Sequence, residues 1–302
     1  MKKRATARRL LEIEHVLGCS HLITVTAGPS FDLILLSLEQ SPDYRLVTGH
    51  GSFAKKRAAS PNRFRVHYQS GDDWLSLDLA ETLENYHAVQ PLSNGRWLLV
   101  RCRAAGDQDA NAHIYDADGI RTQSFPAGDG IADVQATERG NIWVSYFDEG
   151  VFGDTELSRS GLVCLGQDGR SAFRLGDLAE PVLRSMADCY ALNVCSDREV
   201  WLYFYTDFPL VRLMNRKVAG HWMMPVAGSH AFAVDRERVL LGGSYDRKES
   251  LFLGWLDKLD FEEVTPVDEN EQPLRKFRAF GRRHHLYLQT EDAIHLVDMH
   301  SL

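Results

Sequence analysis

Five short stretches of the chain share one local grammar, a turn of Gly, Asn, Asp or Arg followed at once by a compact apolar run: 92–100 (LSNGRWLLV), 137–145 (TERGNIWVS), 195–203 (CSDREVWLY), 234–242 (VDRERVLLG) and 281–289 (GRRHHLYLQ). Counted at the first strand residue of each (Trp97, Ile142, Val200, Val239 and His285), the intervals are 45, 58, 39 and 46 residues. That is the spacing of propeller blades, small sheets that bury their faces only against their neighbours. The pattern predicts an all-β chain folded as a single β-propeller domain over residues 1–302. A boundary between blades would expose core, so no half of such a chain is expected to be stable alone.

The best-formed unit shows four strands, at 86–91, 96–103, 112–116 and 119–125, with Asp118-Gly119 as the hairpin turn between the outer two. The next unit repeats this plan at 131–137, 141–146, 161–165 and 170–175, with Asp168-Gly169 at the same blade position. Two more run through 189–194, 200–205, 210–214 and 218–225, then 230–234, 239–244, 251–257 and 261–266. The last unit has only three clear strands, at 276–280, 285–290 and 293–298, so its outer strand must come from elsewhere. The N-terminal segment 8–17 is assigned to it, just before the first blade (21–26, 32–38, 63–69 and 74–79) begins. Closing one blade with an N-terminal strand removes the open edges of a linear array. The count is six blades of four antiparallel strands, or seven if 44–53 holds extra strands. Helical periodicity is confined to the first dozen residues and the region around 178–186.

A formal net charge of −8 argues against general affinity for nucleic acid or for anionic membranes, both of which need a basic surface. The basic N-terminus (MKKRATARR) and the segment 54–65 (AKKRAASPNRFR) read as a solvated tail and loop. After the N-terminal basic residues, Leu10, Leu11, Ile13, Val16 and Leu17 are interleaved with Glu12, Glu14 and His15, which is neither a signal peptide nor an anchor. Five cysteines without a CxxC pair fit reduced thiols better than a disulfide or zinc framework. A cytoplasmic protein is expected.

On this blade grammar the chain resembles the broad group of six-bladed propellers that includes the TolB-like, NHL-repeat and gluconolactonase or strictosidine-synthase-like proteins. The resemblance implies two kinds of function. Gluconolactonase-like members hold a divalent cation in the central channel through acidic and amide side chains, whereas NHL-type members mostly bind partners. No family-defining catalytic motif matches. The chain also lacks a GxSxG elbow, a phosphate-cradling GKS or GKT, HExxH and GxGxxG.

In a propeller, the loops leaving each second strand and entering each first strand open on one face, around the channel. The second-strand exits are Tyr146-Phe147-Asp148-Glu149-Gly150, Tyr205-Thr206-Asp207-Phe208-Pro209, Tyr245-Asp246-Arg247 and Thr290-Glu291-Asp292, so an aromatic beside an acid recurs at three blades. The remaining well-defined exit is basic, with Arg101 and Arg103. The candidate ligand-binding set is therefore Tyr146, Asp148, Glu149, Tyr205, Asp207, Tyr245, Asp246 and Arg103, joined from the entering strands by Asp188 and His230. Acids at strand exits also simply satisfy turn backbones, and that structural alternative stands beside the functional one. No cofactor is called for, apart from a divalent cation that Asp148, Asp207 and Asp133 would hold. His284 and His285, flanked by Arg282 and Arg283, read as a solvated turn rather than a metal site. The loop 150–160 is a candidate lid or docking loop, with an ordinary surface excursion as the alternative, and Phe147, Val151, Phe152 and Phe208 are where an apolar docking patch would form.

Two functions remain open at this point. One is a non-catalytic binding or scaffold propeller holding a protein partner or a small polar ligand on its channel face. The other is a metal-assisted enzyme of lactonase or lyase type, with a cation polarising a carbonyl.

Overall fold

The structure, a computed structural model, describes residues 3–48, 51–71 and 73–302. The fold is a six-bladed β-propeller whose blades each hold four antiparallel strands. The chain divides into two compact units, Leu17–Ala179 and Met1–Val16 with Glu180–Leu302. Each carries three blades.

The continuous unit holds blade one (His21–Ala27, Leu33–Leu38, Phe64–Ser70, Asp73–Asp78), blade two (Ala88–Pro91, Trp97–Val100, Ala112–Tyr115, Arg121–Phe125) and blade three (Ile131–Ala136, Ile142–Tyr146, Leu162–Leu165, Ser171–Arg174). Second strands are buried at every residue in all three. Hence their apolar runs do not alternate with polar residues, whereas the outer strand Lys217–Met223 of blade four alternates strictly. One core joins blades one and two through Leu36, Val66, Tyr86 and Leu99, and another joins blades two and three through Leu98, Ile114, Val134 and Val144. Both predicted Asp-Gly hairpins form, with Gly119 at φ 76° and Gly169 at φ 77°. Gly119 also has no room for a side chain, since a Cβ there would lie 2.0 Å from the Asp78 carbonyl oxygen.

Two features of this unit lay outside the blade plan. Strands Arg45–Thr48 and Gly51–Ala54 pair with each other as a separate two-stranded sheet, so the region 44–53 adds a hairpin and not a seventh blade; residues 49 and 50 lie outside the described residues. The basic segment 54–65 is not a solvated loop throughout, since Arg57–Asn62 forms a strand paired with Thr82–Glu84.

The discontinuous unit holds blade four (Asp188–Val194, Glu199–Tyr205, Pro209–Met214, Lys217–Met223), blade five (Phe232–Val234, Arg238–Gly242, Leu251–Trp255, Asp260–Val267) and blade six (Arg278–Arg282, His285–Gln289, Ala293–Asp298). The fourth strand of blade six is Arg8–Glu12, antiparallel to Ala293–Asp298, as the missing outer strand required. The closing strand is shorter than the assigned 8–17, because Ile13–Leu17 turns into a short helix. The first residues were expected to be a solvated tail. Instead Lys3–Thr6 adds to blade five as a fifth strand, parallel to Asp260–Val267. Ala5 and Ala7 enter the core there beside Leu240, Leu253 and Val264, while Lys3 and Arg4 pair with Glu262 and Glu271 at 2.6 and 3.0 Å. The helical periodicity of 178–186 resolves into a 3-10 turn, Pro181–Ser185. No helix among the described residues is long and apolar enough to cross a membrane.

Candidate functional site

In the discontinuous unit, the exit ends of blades four and five gather six aromatic rings, counting the His230 imidazole. The first strand of blade four carries a β-bulge: Cys189 faces Phe204 and Ala191 faces Tyr203, leaving Tyr190 as the extra residue. A bulge of this kind re-aims a side chain, here onto the rings around it. Tyr190 stacks on His230 with centroids 4.7 Å apart and planes at 13°, meets Phe208 edge-on at 5.4 Å, and lies 6.4 Å from Tyr205 and 6.2 Å from Tyr245. Its hydroxyl is 2.6 Å from that of Tyr245. Phe208 reaches the cluster because Asp207 and Phe208 both take left-handed backbone, at φ 63° and 51°, which turns the loop back on itself. Its ring packs at 5.4–5.6 Å against Tyr203, Tyr205 and Tyr245.

The cluster has a buried floor and an open rim. Phe208 is 9% exposed, whereas Tyr205 and Tyr245 are 43% and 49% exposed. Gly228, at φ 78°, lets the Tyr245 ring lie directly on the backbone, since a Cβ there would come within 2.5 Å of it. Burial, together with the hydrogen bond to Tyr245, raises the Tyr190 phenol above its ordinary range, so it stays a neutral hydrogen-bonding group. Burial lowers His230, with Arg278 and Lys248 acting in the same direction, so its imidazole favours the neutral form. Asp207 and Asp246 are exposed beside the rings and Asp188 is half-buried.

In the continuous unit the corresponding residues are held differently. Tyr146 is fully buried and its hydroxyl donates to the Ala127 carbonyl at 2.6 Å, making it part of the blade three core. Arg103 grips Asp129 with two parallel bonds of 2.9 and 3.0 Å, donates to Glu149, and lies 5.8 Å from the Phe147 ring. Asp148 begins a short helix and accepts from the Glu149 amide at 2.7 Å. The candidate lid 150–160 is pinned at its far end. Thr155 and Ser158 are buried, Ser158 Oγ donates to the Asp129 carbonyl at 2.6 Å, and the Glu156 amide donates to Asp107 at 2.7 Å. Within it Phe152 stays 74% exposed, while Phe147 and Val151 are half-buried.

The acids considered for a cation have local partners. Asp133 accepts from the Val134 amide at 2.7 Å and from Gln135 at 3.0 Å, and Asp148 is engaged as above. Asp207 belongs to the discontinuous unit and Asp133 and Asp148 to the continuous one. Among the described residues, one group of three His, Cys, Asp or Glu side chains brings its donor atoms within 4.8 Å of one another: His284, His285 and Asp298. The two histidines were read in sequence as a solvated turn. The distant Asp298 is what the sequence reading lacked.

Tyr190 and Phe208 were likewise absent from the sequence-derived ligand set. A signal for the region existed in Ala127-Gly128 and Ala227-Gly228, a repeated pair before the first strands of blades three and five, both glycines with positive φ and both against a tyrosine ring.

Blades of this strand order, with the last completed by an N-terminal strand, define the class as six-bladed β-propellers. A profile of the YxzG family matches residues 163–296, a little under half of the chain. No curated protein matches the chain. Solved structures similar to it include a chain of a mitotic checkpoint complex, at 6% identity and TM-score 0.51, covering 98% of this chain and 93% of that one. A gluconolactonase from Xanthomonas campestris is 12% identical with TM-score 0.44, covering 99% and 98%. The extracellular domain of BT3049 from B. thetaiotaomicron, described as a hybrid two-component system, is 9% identical with TM-score 0.49; it covers 98% of this chain, which spans only 41% of that one. At these identities the likeness is one of fold.

Proposed function

We propose that this chain is a non-catalytic binding propeller that takes a protein partner on the aromatic surface of blades four and five. The observation that carries the reading is the half-exposed pair Tyr205 and Tyr245, set against the half-buried Tyr190 and the buried Phe208. Tyrosines held rigid by packing supply large contact area at little entropic cost and still present a hydroxyl, which is why they recur as anchors of protein interfaces. The engagement of Asp133 and Asp148 in local hydrogen bonds supports this reading over a metal-assisted lactonase or lyase. That all five cysteines are thiols fits the proposed cytoplasmic setting.

A displayed library of random peptides, selected on the purified full chain, tests the proposal. A consensus is expected, and a synthetic consensus peptide should bind at least tenfold more weakly to Tyr245→Ala and Tyr205→Ala, with melting temperatures near wild type because both side chains lie at the rim. Gly228→Ala should weaken binding as well, by displacing Tyr245. Failure to select any consensus, or a consensus whose affinity ignores both tyrosines, would overturn it.

A further inference from the structure

At the opposite end of the strands, blade six gathers a second set of side chains. His285 opens its second strand and stands directly across from Asp298, the last residue of its third strand, with His284 in the preceding turn. His284 Nε2 lies 4.0 Å from Asp298 Oδ1, His285 Nε2 lies 3.9 Å from Asp298 Oδ2, and His300 Nδ1 lies 3.9 Å from Asp298 Oδ1. The His284 ring stacks on His300 at 4.1 Å and meets His285 at 4.3 Å. From these contacts we propose that His284, His285 and Asp298, with His300 at the open side, form a binding site for a late first-row divalent transition metal of the zinc class.

The spacing is informative. A direct imidazole–carboxylate hydrogen bond would bring nitrogen and oxygen to about 2.8 Å. Donors sharing a tetrahedral ion through bonds of about 2.0–2.1 Å stand roughly 3.3 Å apart. The donor atoms of His284, His285 and Asp298 all lie within 4.8 Å of one another, so small side-chain rotations close these three around an ion, with His300 3.9 Å from Asp298 as a further donor. Imidazole donors with a single carboxylate select zinc, cobalt, nickel or copper; calcium and magnesium demand a shell of oxygens.

The surroundings hold the donors in place. His285 Nδ1 lies 3.3 Å from the Tyr287 hydroxyl, an outer partner of the kind that fixes which ring nitrogen faces the metal. Asp298 Oδ1 accepts from the His300 amide at 2.9 Å, capping the turn Met299–Ser301 and bringing His300 over the site. Met299 is fully buried beneath that turn, its amide donating to the His284 carbonyl at 3.0 Å. The site would tie the hairpin turn of blade six to the segment after its third strand, a structural role independent of the partner surface.

Titration of the chelator-treated, untagged full chain with zinc chloride, followed by calorimetry and by the visible absorption of a cobalt-substituted sample, tests this. One equivalent should bind with sub-micromolar affinity and raise the melting temperature, with no comparable effect from calcium or magnesium. His285→Asn and Asp298→Asn should each weaken zinc binding at least tenfold, and His221→Gln, at an exposed histidine of blade four, should leave it unchanged. His300→Gln decides the matter if either of the first two fails to fold, because that side chain is 58% exposed; weaker zinc binding is again expected. No stoichiometric zinc at micromolar concentration, or equal affinity in wild type and the folded variants, would overturn the proposal.

Discussion

Arg101 closes the second strand of blade two with no exposed surface, and a buried charge is tolerated only when its partners are complete. Its guanidinium donates to Glu84 at 2.8 Å, to Asp109 at 2.9 Å and to the Arg103 carbonyl. Desolvation of Asp109 works against its charge, but the hydrogen bonds from Arg101 outweigh it and hold the carboxyl below its ordinary range. Arg101→Ala should therefore destabilise the protein by up to about 3–5 kcal/mol, because it leaves Glu84 and Asp109 with the exposed Arg57 as their charged partner. A shift of the denaturant midpoint at unchanged slope would show it; a loss under about 1 kcal/mol would mean that water replaces the guanidinium. In sequence Arg101 and Arg103 look like a basic exit facing a ligand, and their carboxylate partners, 8 to 46 residues away, leave no local pattern. Tyr146 was misleading for the same reason, since nothing beside it announces that its hydroxyl is spent on Ala127. Tyr205, Asp207, His230 and Tyr245 were legible because each sits where a strand surfaces, a position that turn chemistry marks. Tyr190 could be placed on the entering strand, but its facing was obscured by one extra residue there, which shifts side chains without changing composition.

At the scale of elements, the two N-terminal strands do different work. Arg8–Glu12 completes a four-stranded blade and buries Leu11, whereas Lys3–Thr6 adds a fifth strand to a blade already complete. Removing residues 1–6 is expected to lower the melting temperature by a few degrees, and removing residues 1–12 by on the order of 10 °C, taking about 2–4 °C per kcal/mol for a chain of this size. Equal losses in thermal melts of the two truncations would show that the parallel strand is the larger contributor. The sequence announced the antiparallel strand by a deficit, a last blade with three strands and no fourth. The parallel one left no trace, because KRAT is short and basic and its match, the Glu262 and Glu271 carboxylates, lies at the other end of the chain. The Asp-Gly hairpins were plain for the converse reason: a turn needing positive φ names its residues locally.

At the scale of the molecule, the blade count was readable because each second strand carries a compact apolar run and these recur at intervals of 39 to 58 residues from blade two onward, while the division into a continuous and a discontinuous unit was not. Acid should act on the fold through its buried histidines. Burial pushes His67, His87 and His113 down to about 4 each, so the folded state holds them neutral while the unfolded chain, with histidines near 6.5, takes up protons. Their contribution is complete above about pH 6.5 and is lost as the pH falls through 4, with a slope set by the extra protons of the unfolded state. Unfolding free energies measured between pH 7 and 4 should fall by several kcal/mol. His67→Gln, which retains a hydrogen-bonding group beside Ser37, should flatten that slope; an unchanged slope would place the pH sensitivity elsewhere. The discontinuous unit also has a consequence for synthesis. Lys3–Thr6 and Arg8–Glu12 are synthesised long before their partners at Asp260–Val267 and Ala293–Asp298. At translation rates of roughly 5–20 residues per second these segments wait on the order of 10–60 s. For that interval the nascent chain carries two strand-forming segments with nothing to pair with, while all the residues of blades one to three have already emerged, and this is when a chaperone would be needed.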